Sequence, residues 1–174
     1  MVSRVIPVEP FDLVIFGGTG DLARRKILPG LFRRFMAGQM PQNAQIIGAA
    51  RADHDADGYR EFARQALLEF GPNDVPSDVT NAFLSGLAYV AIDAKGTNGW
   101  TELAAKMRAG HVRAFYFSVA PALFGDLAER LNSHEIALPD SRIVVEKPFG
   151  HDLKSAQLLN ATLAQHFSED QIYR

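Results

Sequence analysis

Leu13-Val14-Ile15-Phe16-Gly17-Gly18-Thr19-Gly20-Asp21-Leu22-Ala23 decides the fold. Leu13 to Phe16 reads as a buried strand, and a helix-like run opens at Asp21. A Gly-rich turn between a buried strand and a helix N-terminus is a place to hold phosphate. Small residues let the backbone come close, and free N–H groups and the helix dipole favour negative charge. The spacing Gly18-x-Gly20-x-x-Ala23 fits the dinucleotide fingerprint with Ala as its third small residue. Arg24-Arg25-Lys26 then sets three cations within two helical turns of the loop.

Working outward, short apolar runs alternate with helix-like ones. Leu13–Phe16, Ile46–Ala50, Ala88–Ile92, Ala114–Val119 and Arg142–Glu146 read as strands, most of them apolar on both faces as buried parallel strands are. The spacing predicts helices over Tyr59–Phe70, Thr101–Ala109, Ala122–Leu131 and Leu153–Phe167. Gly71-Pro72, Gly96, Gly99, Gly110, Pro139 and Pro148-Phe149-Gly150 punctuate the joints. Pro29 falls inside the first helix and is expected to kink or restart it after Leu28. The pattern implies an α/β chain: a Rossmann-like, doubly wound, mainly parallel sheet with helices on both faces, spanning residues 1–174 as one nucleotide-binding domain.

Such sheets bind ligands beyond the carboxyl ends of their strands, so the residues after Phe16, Ala50, Ile92, Val119 and Val145 are the candidates. With a strand before it and a helix after it, the Gly loop reads as a dinucleotide site rather than a bare turn. Arg51 ends the second strand, where an Arg accommodates a 2′-phosphate and an acid binds a 2′-hydroxyl. The expected cofactor is therefore NADP, with Asp53 keeping NAD as the alternative. Asp93 follows the third strand and either lines the adenine side or caps the next turn. Pro121, after Ser118-Val119-Ala120, equally serves as a first helical residue. Lys147 ends the last strand, where it can neutralise phosphate or orient a hydroxyl, and Pro148 fixes the chain as it leaves the sheet. Glu146 would be costly to bury unpaired there, so the charged pair argues for function.

The 174 residues suffice for one domain. A net charge of −2 gives no bias toward nucleic acid or a membrane surface. The absence of cysteine excludes disulfides, thiolate zinc sites and cysteine nucleophiles. The five histidines show no metal-ligand spacing and read as surface or satisfied helix residues. No Gly-Lys-Ser/Thr follows the glycines, so there is no Walker loop. The expectation is a soluble cytoplasmic chain with no metal, nucleic-acid or membrane partner.

Phe16-Gly-Gly-Thr-Gly-Asp-Leu-Ala-Arg-Arg-Lys26, Arg51, Phe115-Tyr-Phe-Ser-Val-Ala-Pro121 and Arg142-Ile-Val-Val-Glu-Lys-Pro-Phe-Gly150, in that order, resemble the N-terminal coenzyme domain of the glucose-6-phosphate dehydrogenase family. The resemblance runs from about Phe11 to Arg174. It implies oxidation of D-glucose 6-phosphate at C1 to 6-phospho-D-glucono-1,5-lactone with reduction of NADP, the first step of the oxidative pentose phosphate pathway. It implies that Gly17, Gly18, Thr19, Gly20, Asp21 and Leu22 hold the pyrophosphate region, and that Arg51 meets the 2′-phosphate. Lys147 would touch both cofactor and sugar phosphate, with Lys26 and Pro148 positional. In the family, Asp-His-Tyr-Leu-Gly-Lys follows close after the position of Ile172, and the catalytic His and its Asp partner come later, in a large α+β domain. The expectation is that these 174 residues hold the cofactor without completing a catalytic set, and are inactive and monomeric alone. The full-length protein would be a homodimer or tetramer. Two alternatives stand beside this one: the Rossmann domain of another Glu-Lys-Pro sugar oxidoreductase, and a stand-alone nucleotide-binding module.

Overall fold

The computed structural model describes residues 8–41, 43–146 and 150–174. Six parallel strands lie in the order β3-β2-β1-β4-β5-β6: β1 Phe11–Phe16, β2 Gln45–Ala50, β3 Leu87–Ala91, β4 Val112–Phe117, β5 Arg142–Val145 and β6 Ile172–Tyr173. This is the expected doubly wound sheet, with β6 added beyond the strands read from the sequence. Two residues are too few to show a period.

The helices are α1 Leu28–Met36, α2 Ala56–Phe70, α3 Ser77–Ser85, α4 Trp100–Lys106, α5 Phe124–Ser133 and α6 Leu153–Ala164. Right-handed crossovers fix their sides. The chain first steps from β1 outward to β3, which puts α1, α2 and α3 on one face. It then crosses back from β3 to β4 and steps outward to β6, which puts α4, α5 and α6 on the other. Alternation along each strand feeds both layers. Leu13, Ile15, Ile46 and Tyr89 pack with Leu28, Phe32, Tyr59 and Phe83. Val14, Phe16, Phe115 and Ile143 pack with Trp100, Leu127 and Leu163.

Pro29 does restart the helix, through a register change rather than a break. Residues 21–36 are helical without interruption, but Ala23–Ile27 form a π turn, with the Leu28 N–H donating to the Ala23 carbonyl. Widening the turn makes room for the Pro ring, which in an α-helix collides with the carbonyl four residues earlier. The helix α3 lies outside the sequence expectation. Its N-cap is Pro76, with no side-chain cap to mark its start.

One half of one face stays bare. Because α1, α2 and α3 cover only β1, β2 and β3, no described helix lies over β4, β5 and β6 on that side. There Phe11, Leu13, Val112, Ala114, Val144 and Tyr173 line a groove of about 800 Å³. Among the described residues no helix is long and apolar enough to cross a membrane.

Candidate nucleotide-binding site

Loops after β1, β2, β3 and β4 meet at the carboxyl edge around a cleft of about 610 Å³. Gly17, Thr19, Gly20, Arg51, Asp93 and Lys95 supply its polar lining, and Val119 and Ala120 its far wall. The cleft lies between β1 and β4, where the strand order reverses, which is where such folds take their ligands.

Gly17 sits at φ +80°, and a Cβ there would strike the Ser118 carbonyl oxygen. A Cβ on Gly18 would lie 2.9 Å from the Gly48 Cα, so this glycine lets β1 and β2 close together at their ends. The Gly17 and Gly18 N–H groups both donate to the Ala49 carbonyl, at 2.9 and 3.2 Å, and the Gly20 N–H to the Gly17 carbonyl at 2.9 Å. Three of the loop amides are thus taken by the protein itself. The Thr19 N–H has no backbone partner among the described residues. Asp21 and Leu22 begin the helix, where N–H groups have no intrahelical acceptor. The glycines shape the loop, and the amides of Thr19, Asp21 and Leu22 are absent from its backbone hydrogen bonds among the described residues.

The cation triplet is arranged differently from the expectation. Arg24 pairs with Glu69 at 2.6 Å and Arg25 with Asp21 at 2.6 Å. Both guanidinium groups sit 5.0 Å from the Phe70 ring centre. They clamp the π turn to the end of α2 instead of facing the loop. Lys26 is exposed and in no ion pair among the described residues.

Arg51 is exposed at the end of β2 and lines the cleft, whereas Asp53 is not among its lining residues. Asp53 lies toward Tyr89, whose hydroxyl is pushed up by burial and, secondarily, by the Asp53 charge. Asp93 caps the turn, as one of its two expected roles requires, and also faces the cleft. Its carboxylate accepts from the Lys95 N–H at 3.0 Å.

A recess of about 430 Å³ adjoins the cleft and shares Val119 and Ala120 with it. Leu22, Ser118, Pro121, Glu146 and His151 line it. Glu146 departs from the sequence expectation. It is exposed, so it carries no burial cost, and it accepts a hydrogen bond from the Tyr116 hydroxyl. Among the histidines, His151 is exposed as expected, and His111 departs. His151 lines the recess, and His111 precedes β4 with a buried Nδ1 that has no partner among the described residues. Lys147 and Pro148 lie outside the described residues. The sequence reading missed Tyr59, Tyr89 and Gly48, which support the cleft from beneath. Their hydroxyls and packing act across 39 and 41 residues of chain, where spacing carries no signal.

A parallel 321456 sheet, a glycine loop at its switch point and a basic residue at the end of β2 define a dinucleotide-binding Rossmann domain. A family model described as "Glucose-6-phosphate dehydrogenase, NAD binding domain" matches residues 14–174. The chain belongs to the glucose-6-phosphate dehydrogenase family, as its NAD-binding domain. It is 48% identical to the glucose-6-phosphate 1-dehydrogenase of Rhizobium meliloti over 177 residues, covering all of this chain and 36% of that one. The Gluconobacter oxydans enzyme of the same name is 44% identical, with 96% and 35% covered. The crystal structure of glucose-6-phosphate 1-dehydrogenase from Mycobacterium avium superposes with a TM-score of 0.87 at 35% identity, over 96% of this chain and 36% of that one. A glucose-6-phosphate dehydrogenase solved with glucose 6-phosphate gives 0.83 at 33% identity, over 97% and 37%. The chain spans about a third of the length of these relatives.

Proposed function

We propose that this domain holds NADP for the oxidation of D-glucose 6-phosphate to 6-phospho-D-glucono-1,5-lactone, the base and most of the sugar site being supplied by residues beyond these 174. The observation that carries the cofactor choice is Arg51, on the cleft wall with Asp53 outside it. A guanidinium there forms a charge-assisted, bidentate contact with a 2′-phosphate. The amides of Thr19, Asp21 and Leu22 suit the pyrophosphate. When bound, the cofactor would supply the hydride acceptor, and the domain's own part would be to bind and orient it in the cleft, beside the recess that shares Val119 and Ala120. Lys147 would bridge cofactor and sugar phosphate, with Pro148 and Lys26 keeping the geometry. The bare half-face of β4, β5 and β6 suits cover by the rest of the protein, an α+β unit, which would also carry the contacts of a homodimer or tetramer. The setting for this activity is the cytoplasm.

Titration of NADP and NAD against the protein and its Arg51→Ala variant tests this. One charge-assisted phosphate contact is worth about 1.5–3 kcal/mol, so NADP should bind roughly 10–100-fold more weakly, with NAD unchanged. Equal loss of both nucleotides removes the 2′-phosphate reading. Residues 1–174 alone should oxidise no glucose 6-phosphate, and measurable turnover overturns the division of labour.

A further inference from the structure

Beneath the cleft, on the face covered by α1, α2 and α3, two tyrosine hydroxyls hold the loops that form it. Tyr59 of α2 is fully buried, and its hydroxyl donates to the Gly18 carbonyl at 3.1 Å. Tyr89 of β3 lies 5.1 Å from it, ring to ring, and its hydroxyl is shared between the Ala50 carbonyl at 3.1 Å and the Ala52 carbonyl at 2.5 Å. Gly48 makes space for this arrangement, since a Cβ there would enter the Tyr59 ring. Neither tyrosine is among the residues lining the cleft.

The carbonyls they hold are informative. A trans peptide points its C=O and N–H in opposite directions. The Gly18 carbonyl and the Thr19 N–H belong to one peptide. With that carbonyl drawn down to Tyr59, the Thr19 N–H is turned up, toward the cleft that Thr19 lines. Donation to the carbonyl also polarises the N–H on the far side of the same peptide, strengthening it toward an anion. Ala50 and Ala52 are the residues on either side of Arg51. Their carbonyls already have backbone donors: the Ile92 N–H reaches Ala50 at 2.8 Å and the His54 N–H reaches Ala52 at 3.1 Å. Strand pairing does not need the Tyr89 hydroxyl. Its addition is to tie the two carbonyls together and so fix the backbone that aims Arg51.

We propose that Tyr59 and Tyr89 are positioning residues that govern two parts of nucleotide recognition separately: Tyr59 the pyrophosphate loop, and Tyr89 the selection of the 2′-phosphate through Arg51. The second part rests on the reading of Arg51 given above. Burial pushes both hydroxyls up from the usual tyrosine range, so both remain proton donors at neutral pH.

The test measures NADP and NAD dissociation constants for the full-length protein and for Tyr59→Phe, Tyr89→Phe and Arg51→Ala, with thermal melts beside them. Tyr59→Phe should weaken both nucleotides alike, by about tenfold, leaving their ratio intact. Tyr89→Phe should weaken NADP about five- to tenfold with NAD little changed. Melts that shift while both constants hold would mean a merely structural role and overturn the proposal, as would an equal effect of Tyr89→Phe on both nucleotides. Arg51→Ala separates the two ideas. If its NADP-to-NAD ratio does not fall, the 2′-phosphate reading fails. If it falls and the Tyr89→Phe ratio does not, only the positioning role fails. Should a tyrosine variant not fold, amide exchange on the unsubstituted protein decides the Tyr59 part. NADP should slow exchange at the Thr19 N–H, and an unprotected Thr19 overturns it.

Discussion

The two edges of the sheet treat charge in opposite ways. At the amino edge, Asp12 of β1 is fully buried and paired with Arg108 at 2.6 Å. The Arg108 backbone N–H and Nε also donate to it, at 2.9 and 2.8 Å, and the Nη2 that pairs with Asp12 also donates to the Asn43 carbonyl at 2.6 Å. Around Asp12 the donors that converge on its carboxylate come from within the chain. At the carboxyl edge of the same strands, Arg51 is exposed on the cleft wall, and the amide of Thr19 has no backbone partner among the described residues. The protein pairs the buried Asp12 charge at one edge and leaves the Arg51 charge exposed at the other. Burial of a charge thus marks structure in this molecule, and an exposed, well-braced charge marks the site.

Substitutions can break this contrast. The largest effect should come from Gly17→Ala, which places a Cβ against the Ser118 carbonyl at a left-handed φ. We expect a stability loss on the order of 3 kcal/mol and no measurable nucleotide binding in titration. Near-normal binding would mean that the loop has slack the contacts do not suggest.

Asp12→Ala should cost about 3 kcal/mol in denaturant unfolding, because it strands the Arg108 guanidinium in a half-buried place. Nucleotide affinity of the folded variant should be unchanged. If affinity falls with stability, the two edges are coupled and the contrast is lost. The Arg51 substitution described above is the mirror case, with affinity altered and stability kept.

The smallest effect belongs to Asp152→Ala, at the start of α6. The Asp152 carboxylate accepts from the Ser155 N–H at 2.8 Å in a capping box, and that bond holds its carboxyl below the usual range. The stabilisation is present above the ordinary carboxylate range and is lost as pH falls through the lowered value. Thermal melts should therefore show a small gap between the two proteins at neutral pH that closes in acid. A gap that persists at low pH assigns the effect to something other than the cap.

Much of this was legible in the sequence, for physical reasons. Strands buried on both faces print as unbroken apolar runs, so β1 to β5 were readable. The glycine loop and Arg51 were readable as cleft residues because they are contiguous with the ends of β1 and β2. What spacing does not show is which way a side chain turns. Arg24 and Arg25 read as cations near the loop, yet Glu69, Phe70 and Asp21 draw them aside. Glu146 read as a burial cost, yet its strand ends one residue earlier. The tyrosine braces were invisible because their partners are made adjacent only by the crossovers. Pro29 was legible as an interruption, and only the structure shows that the helix widens to pass it.

The pairing of β1 with β4 carries a consequence for folding order. Phe11 to Phe16 lie beside Val112 to Phe117, and the Asp12–Arg108 contact spans 96 residues of chain. Nonlocal contacts of that span form late, because loop closure must be met before they contribute. Strands β1, β2 and β3 with their three helices are contiguous in sequence and can assemble first. The nucleotide cleft cannot, since its near wall is Gly17 to Arg51 and its far wall begins at Val119. Only when the Ser118 N–H reaches the Phe16 carbonyl, at 2.9 Å, does the glycine loop acquire its opposite side. The cleft therefore exists only once β4 has docked on β1, and a nucleotide bound there stabilises that nonlocal pairing by mass action.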